Sequence, residues 1–171
     1  MIEYGTESSP FLEANKGHLS SIEKQLPGMQ VFSGYCDGYG YNVEATFLLN
    51  RHTYSIRLIK GQTTRNGVII PQDAADYVET KINISGLNNT ITFSLGRSFF
   101  MWIFPSNKVP SPYYLRISSS DDEAYIERLS VITQLYEPRF LKQTTGELTG
   151  KFQFRLTDLT EFIDQLESLF V

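Results

Sequence analysis

Apolar residues fall at helical spacing near the start of the chain, where Leu12, Leu19, Ile22 and Leu26 recur between Phe11 and Leu26. Ser8-Ser9-Pro10 precedes them and Pro27-Gly28 follows, so the pattern predicts a helix over 11–25, interrupted in quality only by Gly17. The period then shortens to two. Val43, Ala45, Phe47 and Leu49 alternate with polar neighbours, and His52, Tyr54, Ile56 and Leu58 do the same. Such alternation places one face of each strand on a core. The polar Asn50-Arg51 pair between the two runs predicts a tight hairpin.

Further strands are expected at Val68-Ile69-Ile70, at Ile82 and Ile84, at Ile91, Phe93 and Leu95, and at Tyr113–Ile117. Gly86-Leu87-Asn88-Asn89 would turn the chain between the second and third of these, and Pro71 would open a helical turn through Tyr77. Phe99 to Phe104 is apolar at every position, which predicts a central strand covered on both sides; Pro105, Pro110 and Pro112 break the region after it. Ser120-Asp121-Asp122-Glu123 reads as a capping box. Tyr125, Leu129, Ile132 and Tyr136 then mark one helix face, ended by Pro138. Gly146 and Gly150 are expected to flank a loop before a strand through Phe152, Phe154 and Leu156. Thr157-Asp158 would cap a last helix whose stripe is Leu159, Phe162, Ile163, Leu166, Leu169 and Phe170.

Strands mostly follow strands, so the fold class is α+β. The expectation is a largely antiparallel sheet of about six to eight strands, with N-terminal, penultimate and C-terminal helices packed on it. With 171 residues and 41% hydrophobic content, the chain reads as one globular domain over 1–171, of which polar residues 1–10 form a loosely ordered leading segment. A chain of this size buries roughly 70% of its unfolded surface, so a core needs no disulfide or metal staple.

Charge and cysteine usage narrow the classes. Fifteen basic against nineteen acidic residues leave a net charge of −4, without the basic excess that drives non-specific nucleic-acid binding. Cationic residues are scattered: Arg51, Arg57, Lys60 and Arg65, then Lys151 and Arg155, with Arg57 and the Lys151-Gln153-Arg155 alternation suited to a solvated sheet face. No nucleic-acid partner is expected. The single Cys36 cannot form an internal disulfide, the N-terminus lacks the pattern of a signal peptide, and the apolar run of six residues is far short of a membrane span. The expectation is a cytoplasmic protein without a membrane partner. Asn83-Ile84-Ser85 and Asn88-Asn89-Thr90 match the glycosylation triplet, a pattern that also arises by chance.

Chemistry is sparse. Two histidines and one cysteine form no zinc pattern, and Asp121-Asp122-Glu123 is explained by capping, so no metal and no cofactor are expected. The glycines of Gly34-Tyr35-Cys36-Asp37-Gly38-Tyr39-Gly40 lack the Gly-Lys-Ser/Thr ending of a phosphate loop. A thiol enzyme would need Cys36 with His52 or His18 as base and Asp37 or Glu44 to orient it. No residue is assigned a catalytic role. The segment from Gly34 to Tyr41 remains unusual, with Tyr35, Tyr39 and Tyr41 set among glycines. These three tyrosines are the candidate partner-binding residues, because tyrosine offers large contact area at low entropic cost. The competing account packs the same rings on neighbouring strands of a glycine-rich turn or bulge.

The expected function is a non-enzymatic protein-interaction module, of adaptor, chaperone or inhibitor type, with another protein as partner. The alternatives are a small ligand-binding domain or thiol-dependent enzyme using the Cys36 region, and a structural homo-oligomer joined through its terminal helix. Function lives in sites placed on folds, so the sheet and helices alone do not separate these.

Overall fold

In a computed structural model, which describes residues 1–26, 28–61, 64–65, 68–69, 77–88, 90–103, 108–118, 123–155 and 159–170, the first periodic segment forms helix α1 over Pro10–Gln25. Ser9 caps it: the side-chain oxygen accepts the Leu12 N–H at 3.1 Å. Proline occupies the first turn, where no N–H is required. The buried positions are Leu12, Asn15, Leu19 and Ile22; exposed Gly17 has open space around it.

The other elements are β1 (Ile2–Tyr4), β2 (Met29–Asp37), β3 (Gly40–Leu49), β4 (His52–Gly61), β5 (Thr64–Arg65), β6 (Val68–Ile69), β7 (Tyr77–Ser85), β8 (Phe93–Arg97), α2 (Phe100–Ile103), β9 (Tyr113–Ile117), α3 (Glu123–Tyr136), β10 (Phe140–Thr144), β11 (Glu147–Arg155) and α4 (Leu159–Glu167), followed by one 3-10 turn over Ser168–Phe170. The class is α+β, and the sheet is mostly antiparallel. Its nine strands, one above the expected range, hydrogen-bond in the order β1-β2-β3-β4-β7-β11-β10-β8-β9, while β5 and β6 pair separately. Among the described residues, no helix is long and apolar enough to cross a membrane.

The chain clusters into two compact units, Met1–Thr80 with Phe154–Thr160, and Lys81–Gln153 with Glu161–Val171. In the first, β3 and β4 behave as their alternation predicts. Val43, Ala45, Phe47, Tyr54, Ile56 and Leu58 are each at most 1% exposed, and Phe47 stacks on Tyr54 at 4.9 Å between ring centroids. Asn50 and Arg51 both have positive φ, 49° and 72°, the geometry of a two-residue turn whose twist matches the strands. In the second unit, Phe162 of α4 meets Tyr136 of α3 at 4.9 Å and Phe152 of β11 at 4.8 Å, both edge to face. Tyr125, Leu129, Ile132, Ile163, Leu166 and Leu169 are buried, as the two helical stripes require. Buried Gln143 is satisfied at both ends of its amide: Oε1 accepts from the Tyr125 hydroxyl at 2.9 Å, and Nε2 donates to the Ile91 carbonyl at 2.8 Å.

The structure corrects several expectations. Over its described part, Phe99–Ile103, the apolar run is not a central strand: α2 is a single helical turn over Phe100–Ile103, and Phe99, Phe100 and Ile103 are 75%, 66% and 57% exposed. The reason lies in the partner strand. The β8–β9 ladder ends where the Ser98 N–H donates to the Pro112 carbonyl. Pro112 and Pro110 have no N–H to return, so a strand continuing past Ser98 would lack donors opposite it. Gly146 and Gly150 do not flank one loop. Gly146 (φ 82°) turns the β10–β11 hairpin, whereas Gly150 lies inside β11, paired with Leu141. The leading residues are tied down: β1 pairs in parallel with β2, and the N-terminal ammonium donates to the Phe32 carbonyl at 2.8 Å. Finally, β2 and β10 are strands that no alternation announced. Along β2 the inward positions are Phe32, Gly34 and Cys36, of which only Phe32 is large and apolar, while Val31 and Tyr35 point outward, 51% and 46% exposed, which blurs the pattern. The expected helical turn from Pro71 runs through Tyr77, which instead opens β7; the rest of that turn lies outside the described residues, as do the proline stop at Pro27, Ser120-Asp121-Asp122 of the capping box, the Thr157-Asp158 cap, Ile70, Asn89, Phe104, Pro105 and Leu156.

Candidate functional site

The unusual Gly34–Tyr41 segment is a β-hairpin tip. Asp37 pairs with Gly40, leaving Gly38-Tyr39 as a two-residue turn. The Asp37 carboxylate holds it, Oδ1 accepting the Tyr39 N–H at 2.7 Å and the Gly40 N–H at 3.0 Å. An aspartate that caps its own turn in this way tolerates conformations other residues resist. Gly40 has φ 154°, and a Cβ there would strike the Lys60 carbonyl, so β3 can approach β4 this closely only through glycine.

Two other segments pin the tip. Asn15 of α1, 4% exposed, donates from Nδ2 to the Asp37 carbonyl at 2.8 Å. Glu7 accepts the Gly38 N–H through Oε1 at 2.6 Å, and this bond holds the Glu7 carboxyl below the usual carboxylate range. The Gly5 N–H donates to the Cys36 carbonyl at 2.9 Å. The tip is therefore held by the leading segment and α1, not by its own turn alone.

The three candidate tyrosines divide. Tyr39, at the turn, is 64% exposed and Tyr35 is 46% exposed, whereas Tyr41 is 3% exposed. The exposure that recognition requires and the burial that packing requires thus fall on different members of the group. Tyr35, Asp37, Tyr39, Tyr41, Ile59 and Lys60 line a shallow groove of about 300 Å³. The Tyr41 hydroxyl is buried and has no hydrogen-bond partner among the described residues; burial pushes its pKa far up. The Lys60 ammonium sits 6.0 Å from the Tyr41 ring centroid and donates to His18 Nδ1 at 2.7 Å. A neutral His18 receiving that bond carries its proton on Nε2.

Of the residues a thiol enzyme would need, His52 is not brought to Cys36, and the thiol itself is not activated. Cys36 is wholly buried, and burial, followed by the Asp37 carboxylate, raises its pKa, the reverse of nucleophile activation. Cys36 is level with Tyr41, which is level with Lys60, whereas His52 closes the far end of the β3–β4 ladder opposite Leu49. The eight residues from His52 to Lys60 correspond to roughly 27 Å along the strand. Glu44 pairs with Ser33 and accepts the Ser55 hydroxyl at 2.6 Å. Among the described residues no group of three or more His, Cys, Asp or Glu is placed to hold a metal ion.

Sequence reasoning missed Glu7, Asn15, Ile59 and Lys60. One signal was available: Asp37, Gly38 and Gly40 are turn residues, and an aspartate just before a turn can accept the N–H groups that follow it. The anchoring residues carry no such mark, because their role depends on packing 22 and 31 positions away in the chain. Comparison with protein-family models, with curated proteins and with solved structures yields no match.

Proposed function

We propose that the chain is a non-enzymatic protein-interaction module that presents the β2–β3 hairpin tip to another protein. The carrying observation is the contrast within the tip: Tyr35 and Tyr39 stand exposed on a backbone held by Asp37, Asn15 and Glu7. An ordered loop loses little entropy on binding, and tyrosine buries a ring while keeping its hydroxyl hydrogen-bonded, which is why it recurs at interface hot spots. The Tyr41 hydroxyl supports the same reading. A buried hydroxyl without a partner is costly, and a polar group of a bound protein entering the groove would satisfy it.

The test is recovery of the tagged chain from its native host, comparing wild type with the Tyr35→Ala/Tyr39→Ala double variant. The expected result is a defined set of co-purifying proteins that the double variant loses while its melting temperature stays within a degree or two of wild type. Retention of the same proteins by a folded double variant refutes the reading.

A further inference from the structure

In the second unit, β10, β8 and β9 lie side by side, and their register sets outward residues in rows. Lys142 pairs with Ser94, and Ser94 with Arg116. The next row along the strands is Thr144, Thr92 and Ser118, the Ser118 hydroxyl accepting the Thr92 N–H at 2.9 Å. These residues line a cavity of about 450 Å³, and among the described residues no carboxylate lines it. On the other side of the cationic row, Phe140 pairs with Gly96 and Gly96 with Tyr114. The Tyr114 ring lies across the glycine, its Oη 2.8 Å from where a Cβ would stand, and Phe140 is 45% exposed. Alternate residues of the same strands, Phe93, Leu95, Leu141 and Gln143, are buried.

The cationic row differs from an ordinary solvated sheet face. On the outward face of β3 and β4 the polar groups satisfy one another: Arg57 donates to Asn42 at 2.8 Å, and Ser55 to Glu44 at 2.6 Å. Arg116 and Lys142 are exposed and have neither an ion pair nor a hydrogen bond among the described residues. Glu147, paired with Thr144 on β11, is engaged by Asn83 at 2.7 Å. Two ladder spacings separate the Lys142 and Arg116 backbones by about 10 Å, so both long side chains can close over Ser94. The result is two cations and a set of hydroxyls lining one cavity, with an aromatic shelf one row, or about 7 Å, away.

We propose that this face binds a small ligand joining a phosphate to a flat ring, a nucleoside monophosphate being the simplest. The phosphate oxygens accept from the Arg116 guanidinium, which offers a planar fork of donors, and from the Lys142 ammonium, with Ser94 and Thr92 hydroxyls beneath. The ring stacks on Tyr114 and Phe140. One cationic row holds one phosphate. A nucleic-acid strand requires a basic track along its backbone, and two cations in one row on a chain of net charge −4 do not supply one. This site is separate from the hairpin-tip reading and does not depend on it.

The probe is adenosine monophosphate, titrated calorimetrically into the full chain at about 50 mM salt, where phosphate contacts are least screened. Saturable binding is expected, tighter than that of either inorganic phosphate or adenosine alone. Arg116→Ala and Lys142→Ala should each weaken it about tenfold or more, the loss of one charged hydrogen bond. Tyr114→Ala should weaken it at least about fivefold. Amide shifts in the wild-type chain should concentrate on β8, β9 and β10, a readout independent of whether any variant folds. The assignment is overturned by an absence of saturable binding, by shifts confined to other strands, by an Arg116→Ala/Lys142→Ala chain that binds as well as wild type, or by inorganic phosphate binding as tightly as the nucleotide. A single-stranded oligonucleotide binding far more tightly than the mononucleotide would likewise overturn it as a small-ligand site.

Discussion

Two aromatic segments exchange the places that composition assigns them. Phe99–Ile103, apolar at every position, is an exposed helical turn, while the glycine-rich Gly34–Tyr41 segment is a pinned hairpin with Cys36 and Tyr41 fully inside. The difference teaches that burial follows from hydrogen-bond supply as much as from hydropathy. Met101 donates its N–H to the Ser98 carbonyl at 3.1 Å, a local bond of the turn, and accepts the Ser111 hydroxyl at its own carbonyl at 3.0 Å; neither is a ladder bond between strands. The prolines opposite remove the ladder that would have drawn the run into the sheet. At the hairpin tip the reverse holds. Ladders on both sides, β2–β3 and β3–β4, leave Tyr41 between two paired strands under a helix, and its apolar neighbours close over it.

The comparison can be broken most decisively at Tyr41. Tyr41→Ala should cost about 3–5 kcal/mol in chemical denaturation, as for other buried aromatic truncations; a cost below about 1 kcal/mol would mean that the tip is not packed as described. Leu166→Ala in α4, a buried yardstick from the second unit, should cost about 2–5 kcal/mol, and a near-neutral result would make the terminal helix dispensable. The smaller change Tyr41→Phe should have the opposite sign, stabilising by about 1 kcal/mol, because it removes a buried hydroxyl that has no partner; under the proposed function it should at the same time weaken partner capture. Phe99→Ser and Tyr39→Ala should each change stability by no more than about 0.5 kcal/mol. A loss of several kcal/mol at Phe99 would restore the buried-strand account.

Cys36 sharpens the same contrast through rate. Its thiol is buried, with a pKa raised above the ordinary value, so at neutral pH the folded chain holds it as the unreactive protonated form. Alkylation should be slow in buffer and fast in denaturant. The sign of the pH dependence follows: a thiol whose folded pKa is raised favours folding less as pH climbs past the unfolded thiol value, so stability should fall on the alkaline side. Rapid alkylation of the native chain would contradict the burial of the tip.

Much of the fold was legible because strong periodicity needs no tertiary information. The β3–β4 hairpin, α1, the α3 face and the α4 stripe each repeat over enough residues for one side to be unambiguously apolar. The candidate site was legible as a location and not as an arrangement. Tyrosines 35, 39 and 41 stood out by composition, set among the turn residues Asp37, Gly38 and Gly40. Which ring lies inside depended on the pairing of Cys36 with Tyr41 and of Tyr41 with Lys60, facts of register.

The sequence by itself determined where the chain alternates, where helices begin and which stripes they bury, because these follow from the periods of 2 and 3.6 acting over short distances. Only the tertiary structure decided the fate of residues whose environment is set from far along the chain. Ile2–Tyr4 became a strand because β2 offered it an edge, Glu7 and Asn15 became anchors because the hairpin tip returned to them, and Phe99–Ile103 left the sheet because Pro110 and Pro112 stood opposite. A backbone hydrogen bond needs a partner on another segment, and no local pattern states which segment that will be.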